Sequence, residues 1–127
     1  MIAASRDPQR VQLQLDSRPQ LHTDAKLLRV ILTNLIDNAL KYGDPTQPIQ
    51  VRLSGDQPCQ LRICNPPGPA GAPDAEQVFE KYYRSPRAHG LTGSGQGLYI
   101  AHAFSQMLGG ELSYQPGADL ICFQLRM

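Results

Sequence analysis

Apolar and polar positions alternate through Val11-Gln12-Leu13-Gln14-Leu15-Asp16, the period-two pattern of a half-buried strand. Beyond Asp24 the period lengthens. Leu28, Ile31, Leu32, Leu35 and Ala39 share one side at about 100° of rotation per residue, which predicts an amphipathic helix. Thr23 or Asp24 can cap its start, and Gly43 stops it. Ile49-Gln50-Val51-Arg52-Leu53 and Gln60-Leu61-Arg62-Ile63 return to period two, joined by a turn at Gly55-Asp56. The run Asn65-Pro66-Pro67-Gly68-Pro69-Ala70-Gly71-Ala72-Pro73 excludes a helix or a central strand. A short helix is predicted from Ala75 to Tyr83, then a polar loop from Arg84 to Gly93. Gly93-Ser94-Gly95-Gln96-Gly97 opens a helix from Leu98 to Leu108. Two closing strands, Glu111 to Gln115 and Leu120 to Arg126, meet at Pro116-Gly117-Ala118-Asp119. The expected class is α+β: a two-layer α/β sandwich, its mixed, mostly antiparallel sheet carrying helices on one face.

Bulk properties narrow the function more than the fold. With 127 residues, the chain from 1 to 127 is expected to form a single domain around one layered core. A formal charge of +1 supplies no field to attract nucleic acid or an anionic membrane surface. No apolar run approaches a membrane span, and Met1 to Gln14 has no signal-peptide core. Three cysteines without CxxC spacing argue against a disulfide framework or a zinc site. Cys59, Cys64 and Cys122 fall in strand-like segments and read as small buried hydrophobes, which suits a reducing cytosol.

The chemistry concentrates in Asn34-Leu35-Ile36-Asp37-Asn38-Ala39-Leu40-Lys41-Tyr42-Gly43. Asn34, Asn38 and Lys41 lie in one narrow helical stripe at the edge of the apolar face, with Tyr42 beside it. A single Asn in a helix reads equally well as surface. Two amides one turn apart, followed by an ammonium and an aromatic ring, suit a hydrated cation and phosphate oxygens better than a core. The glycines of Gly93 to Gly97 allow backbone N–H groups to approach an anion at a helix start. Alone they are weak evidence, since a flexible turn also uses them; beside the asparagine helix they read as a triphosphate cradle. The chain has no GxxxxGK(S/T) loop and no dinucleotide-binding spacing. The long stretch between Asn65 and Gly93, sitting between two site elements, reads as a lid.

These motifs together resemble the catalytic, ATP-binding domain of sensor histidine kinases, in the superfamily shared with gyrase, Hsp90 and MutL ATPases. Asn34 to Gly43 is similar to the family's N box, Val78-Phe79-Glu80-Lys81-Tyr82-Tyr83-Arg84 to its F box, and Gly93 to Leu98 to its G2 box. The glycine pair before Glu111 resembles the usual end of the helix that follows. The resemblance runs from Val11 to Arg126 and implies the Bergerat fold. It implies Mg²⁺ held by the amide oxygen of Asn38, with Asn34 orienting the water around it. Lys41 would neutralise phosphate charge and Tyr42 would pack on adenine. Arg84 and Lys81 would reach the γ-phosphate, and Gly93, Gly95, Gly97 and Leu98 would line the nucleotide. The implied cofactors are ATP and Mg²⁺. The implied partners are the dimerisation and phosphoacceptor domain of a longer parent and, indirectly, a response regulator, with no nucleic acid and no direct membrane contact. The isolated domain is expected to be monomeric and cytoplasmic, within a parent that could be an inner-membrane sensor.

The family's G1 box, DxGxG, is altered. Its Asp, which accepts from the adenine amino group, corresponds to Asn65, and Pro67 stands where a glycine is expected. Asn65 keeps an acceptor oxygen but loses the charge. The altered G1 box keeps open a degenerate nucleotide-binding or docking module without kinase activity, and the shared fold keeps open a serine kinase of the anti-sigma type. His22 lacks the context of a phosphoacceptor, His89 falls in the expected lid, and His102 reads as a helix-surface residue.

Overall fold

The computed structural model describes residues 10–17, 23–55, 58–68, 74–80, 97–117 and 119–127. Strand β1 (Val11–Leu15) leads to helix α1 (Ala25–Tyr42), then β2 (Ile49–Ser54), β3 (Gln60–Asn65), α2 (Gly97–Met107), β4 (Glu111–Pro116) and β5 (Ile121–Arg126). The five strands make one sheet in the order β1-β2-β3-β5-β4. β1 runs parallel to β2, with Val11 opposite Ile49, and the other pairs are antiparallel. The parallel pair follows from the connection, because α1 is the crossover that two adjacent parallel strands require. The two-layer α+β arrangement read from the sequence is the observed one.

Alternation sets the core. Ile49 and Val51 of β2, Leu61 and Ile63 of β3, Leu112 of β4 and Ile121, Phe123 and Leu125 of β5 all point to one face. Ile31, Leu35, Ile36 and Ala39 of α1 and Ala101 of α2 cover that face. Phe123 sits at its centre, its ring 4.9 Å from Tyr114 and 6.1 Å from Phe79. Phe123→Ala removes a ring that cannot be replaced by collapse of a sheet residue on both sides. Its expected cost is about 3–5 kcal/mol, read as a fall in the urea midpoint with an unchanged slope.

Helix ends are set by identifiable groups. Asp24 is the cap of α1: its carboxylate accepts from the N–H groups of Lys26 at 2.9 Å and Leu27 at 3.2 Å. α2 closes in a Schellman motif, with Gly110 N–H donating to the Ser105 carbonyl and Gly109 N–H to that of Gln106. Gly109 takes φ +73°, which explains the glycine at this position.

Four expectations need correction. β1 is not half-buried: Leu13 and Leu15 are 54% and 46% exposed. It is an edge strand, and although its leucines share the face of Val51 and Leu53, only Val11 packs on the core. The described part of the expected helix from Ala75 to Tyr83 is two successive turns, closed by Gln77 N–H to Asp74 O and Glu80 N–H to Gln77 O. The Asp74 carboxylate accepts from the Glu76 N–H, an alternative to helix propagation. Cys64 and Cys122 form a disulfide; the antiparallel β3–β5 register sets them directly opposite one another. His102 is half-buried, its ring stacked on Phe79 with centroids 4.6 Å apart.

Candidate functional site

The C-terminal end of α1 is tied to the segment after β3. Gly68 N–H donates to the Tyr42 carbonyl and Asp44 N–H to that of Pro66, both at 2.9 Å, and Gly43 makes an isolated bridge with Pro67. Gly43 is extended (φ −77°, ψ 162°), not left-handed, so clearance explains the residue. A Cβ there would stand 2.5 Å from the Ala39 carbonyl oxygen and 2.8 Å from Asn65 Nδ2. Asn65 is only 3% exposed, and its Nδ2 donates to the Pro66 carbonyl at 3.1 Å. With the NH₂ committed to backbone, Oδ1 is left as the acceptor on this residue. The described part of the altered G1 segment, Asn65 to Gly68, is thus packed directly on the end of the asparagine helix.

α2 meets the same helix more than two turns earlier. A Cβ on Gly97 would lie 3.2 Å from Asn34 Oδ1 and 3.9 Å from Asn34 Cβ. The last glycine of the Gly93 to Gly97 segment therefore abuts the amide stripe. Asn38, one turn further along α1, is half-buried, and no side-chain hydrogen bond joins it to another described residue. Lys41 is half-buried and pairs with Asp37 at 2.9 Å. An exposed i,i+4 ion pair contributes about 0.3–0.5 kcal/mol, so this lysine can be recruited by an anion at little cost. Tyr42 is half-buried beside Gly43, and Leu98 packs against the core from the start of α2. Arg84, Lys81, Gly93 and Gly95 lie outside the described residues, as do His22, His89 and most of the expected lid. Among the described residues, no group of three or more His, Cys, Asp or Glu could hold a metal ion.

Three features of the site had no sequence pattern behind them: the Gly43–Asn65 contact, the Phe79–His102 stack and the Cys64–Cys122 pair beside Asn65.

The turn after α1 carries the charge that shapes it. Hydrogen bonds from the Thr46 hydroxyl and Thr46 N–H, with Arg10 nearby, hold the Asp44 carboxyl below its ordinary range. Arg10 also donates to the Asp44 carbonyl at 3.1 Å. At the sheet edge, hydrogen bonds from Arg52 and Gln14 lower Asp16 in the same sense. A depressed carboxyl stabilises the fold above the unfolded-state value of about 3.9, and the contribution is lost as pH falls through the folded value. Unfolding midpoints are therefore expected to drop below about pH 4, and Asp44→Asn should flatten part of that fall. A midpoint independent of pH between 5 and 3 would contradict both assignments.

Residues 23–127 match the family of histidine kinase-, DNA gyrase B- and HSP90-like ATPases. The sequence is 36% identical over 114 residues to the swarming motility regulation sensor protein RssA of Serratia marcescens, covering 86% of this chain and 24% of that protein. It is 37% identical over 105 residues to the signal transduction histidine-protein kinase/phosphatase MprB of Mycobacterium sp. (strain KMS), covering 79% and 20%. The chain thus spans a quarter or less of the length of these relatives. Among solved structures, a mycobacterial sensor histidine kinase MprB superposes with a TM-score of 0.76 at 27% identity, over 94% of this chain and 84% of that one. The Acinetobacter baumannii histidine kinase AdeS shares the fold at a TM-score of 0.71 and 22% identity, over 92% and 52%. Among the described residues, no helix is long and apolar enough to cross a membrane. The amide stripe on α1, the glycine at the head of α2 and the G1 segment fastened between β3 and α1 thus accompany a match over most of the length: this chain belongs to the histidine kinase-, DNA gyrase B- and HSP90-like ATPase family, and its relatives are sensor histidine kinases.

Proposed function

We propose that this chain is the Mg-ATP-binding catalytic domain of a two-component sensor histidine kinase, one domain of a longer parent at the cytoplasmic side of a membrane. It would pass the γ-phosphoryl group to a histidine on the parent's dimerisation domain. The observation that carries this reading is the junction at α1, where Gly97 abuts Asn34 and Asn65 abuts Gly43. Both contacts flank the turn that presents Asn38 and Lys41.

The residues present suit the cofactors the family implies. A neutral carboxamide oxygen on Asn38 suits a hard cation that keeps most of its ligands as phosphate oxygens and water. Asn34 would orient the water around it. Lys41, released from Asp37, would neutralise phosphate charge, joined by Lys81 and Arg84 from the F box. Gly97, with Gly93 and Gly95, would let backbone N–H groups face the phosphates. Tyr42 would cover the adenine, and Asn65 Oδ1 would accept from its amino group. ATP would supply the phosphoryl group; the chain's own contribution is positioning and charge stabilisation.

The docking-module alternative is favoured by one observation, the loss of the acidic G1 residue. Titration calorimetry with ATP in the presence of Mg²⁺, then with EDTA, separates the two. Mg-dependent heat supports the kinase; no heat under either condition supports the docking module. Incubation with labelled ATP and the parent's helical hairpin then distinguishes the chemistry: acid-labile label indicates phosphohistidine, and acid-stable label the serine kinase.

A further inference from the structure

We propose that Cys64 and Cys122 form a thiol–disulfide exchange site whose closed form fixes Asn65 and thereby tightens the hold on nucleotide. The proposal rests on the nucleotide-binding reading given above. The cysteines are buried, but on the side of the sheet turned away from the helices. Ile63, Ile121 and Phe123 point toward the helices, so Cys64 and Cys122 point to the opposite face, with Gln50, Arg62, Gln115 and Gln124. That face carries no helix of the described chain. The two cysteines are nonetheless only 9% and 5% exposed. Arg62, two residues before Cys64, donates to Gln115 at 3.0 Å, and Gln115 is the register partner of Cys122. A guanidinium therefore lies on the face of both sulfurs, where it favours the thiolate that exchange requires.

Position in the ladder connects this pair to the site. Cys64 opposite Cys122 is the penultimate rung between β3 and β5, with Cα atoms 4.2 Å apart. Asn65 opposite Ile121 is the last rung, after which the chain departs into Pro66. Terminal rungs open at little cost. A covalent link one residue away suppresses that opening, and Asn65 is the residue that packs on Gly43 at the end of the amide helix. Disulfides in a reducing compartment are typically transient or redox-sensing, and this one sits where its opening loosens an adenine-facing residue rather than the core.

The exchange balances with a dithiol as reductant. Its thiolate attacks Sγ of Cys64, the less buried of the two residues; a new S–S bond forms, the Cys64–Cys122 bond breaks, and the Cys122 thiolate takes up a proton. The reductant's second thiol, on losing its proton, attacks the mixed disulfide and releases Cys64 as a thiolate, which is protonated in turn. Two electrons pass to the protein, and the reductant leaves as a cyclic disulfide.

The test is nucleotide affinity in both redox states of the whole 127-residue chain. Denaturing alkylation should label one cysteine, the buried Cys59, in the oxidised chain and all three after dithiothreitol. Reduction is expected to weaken Mg-ATP binding about fivefold, reversibly on reoxidation with diamide. Cys64→Ser and Cys122→Ser should each bind with the weaker affinity and no longer respond to dithiothreitol. By linkage, saturating Mg-ATP should shift the pair's exchange equilibrium in a dithiol redox buffer by the same factor, about 20 mV for two electrons. Three labelled cysteines after diamide would overturn the site. Equal affinity in the two states would overturn the coupling while leaving nucleotide binding intact, whereas no binding in either state removes the functional reading and the coupling with it.

Discussion

Asn38→Ala is expected to abolish Mg-dependent ATP binding while leaving the fold as stable as before, or slightly more stable. The sign of the stability effect is what makes the variant informative. Ala is the better helix former, by up to about 0.7 kcal/mol in a helix interior. Asn38 is half-buried and its side chain bonds no other described residue, so truncation leaves no polar partner stranded. A loss of binding therefore cannot be attributed to a damaged scaffold. Outer-shell groups around a metal typically contribute 10–100-fold in affinity, so loss of the amide that would hold the cation should cost at least about tenfold. Calorimetry with ATP and Mg²⁺ reads the loss, and the residual affinity should no longer respond to EDTA. Unchanged affinity in a folded Asn38→Ala variant would remove the metal role from this helix altogether. Asn34→Ala should have a smaller effect on affinity, because Asn34 also stands against Gly97 and part of its contribution is the packing of α1 on α2.

The legible part of this molecule is the part with a period. Apart from the buried cysteines, β2, β3 and β5 alternate apolar and polar residues between the core face and the opposite face, and α1 carries its amides at helical spacing, so the layers and the site helix could both be read from residues. β1 alternates just as well, yet its leucines are exposed; periodicity reports which side a residue faces, not whether anything covers that side. The same limit applies to the cysteines. Cys64 and Cys122 are 58 residues apart in sequence, and only the β3–β5 register sets them opposite each other. A count of three cysteines argued for free thiols, but pairing is decided by geometry across the sheet. The sequence predicts a short helix from Ala75 to Tyr83; in its described part Asp74 instead captures the Glu76 N–H and starts turns. Gly43 reads in the sequence as a helix stop. In the fold it is extended, and the reason for the glycine is clearance from the Ala39 carbonyl of its own helix and from Asn65 of β3.

That last point predicts the effect of a single methyl group. Gly→Ala at a position with ordinary backbone angles usually stabilises by about 0.4–1 kcal/mol through the unfolded state. Gly43 has such angles, so the local expectation for Gly43→Ala is a gain. The contacts reverse it. The new Cβ would fall 2.5 Å from the Ala39 carbonyl oxygen and 2.8 Å from Asn65 Nδ2. The oxygen belongs to the helix backbone and accepts the Gly43 N–H at 2.9 Å, so it cannot withdraw without breaking the last hydrogen bond of α1. Relief has to come from moving the G1 segment outward, which strains the Gly68 to Tyr42 and Asp44 to Pro66 hydrogen bonds. Overpacking of this kind typically costs about 1–3 kcal/mol. Gly43→Ala should therefore lower the urea midpoint and weaken nucleotide binding together, since the displaced segment carries Asn65. A double-mutant cycle with Asn65→Ala checks the route: removing Nδ2 relieves one clash and not the other, so the pair should be less than additive by about 0.5 kcal/mol or more. A stabilised Gly43→Ala, or strict additivity in the cycle, would mean that α1 and the G1 segment are not in the contact on which the nucleotide reading stands.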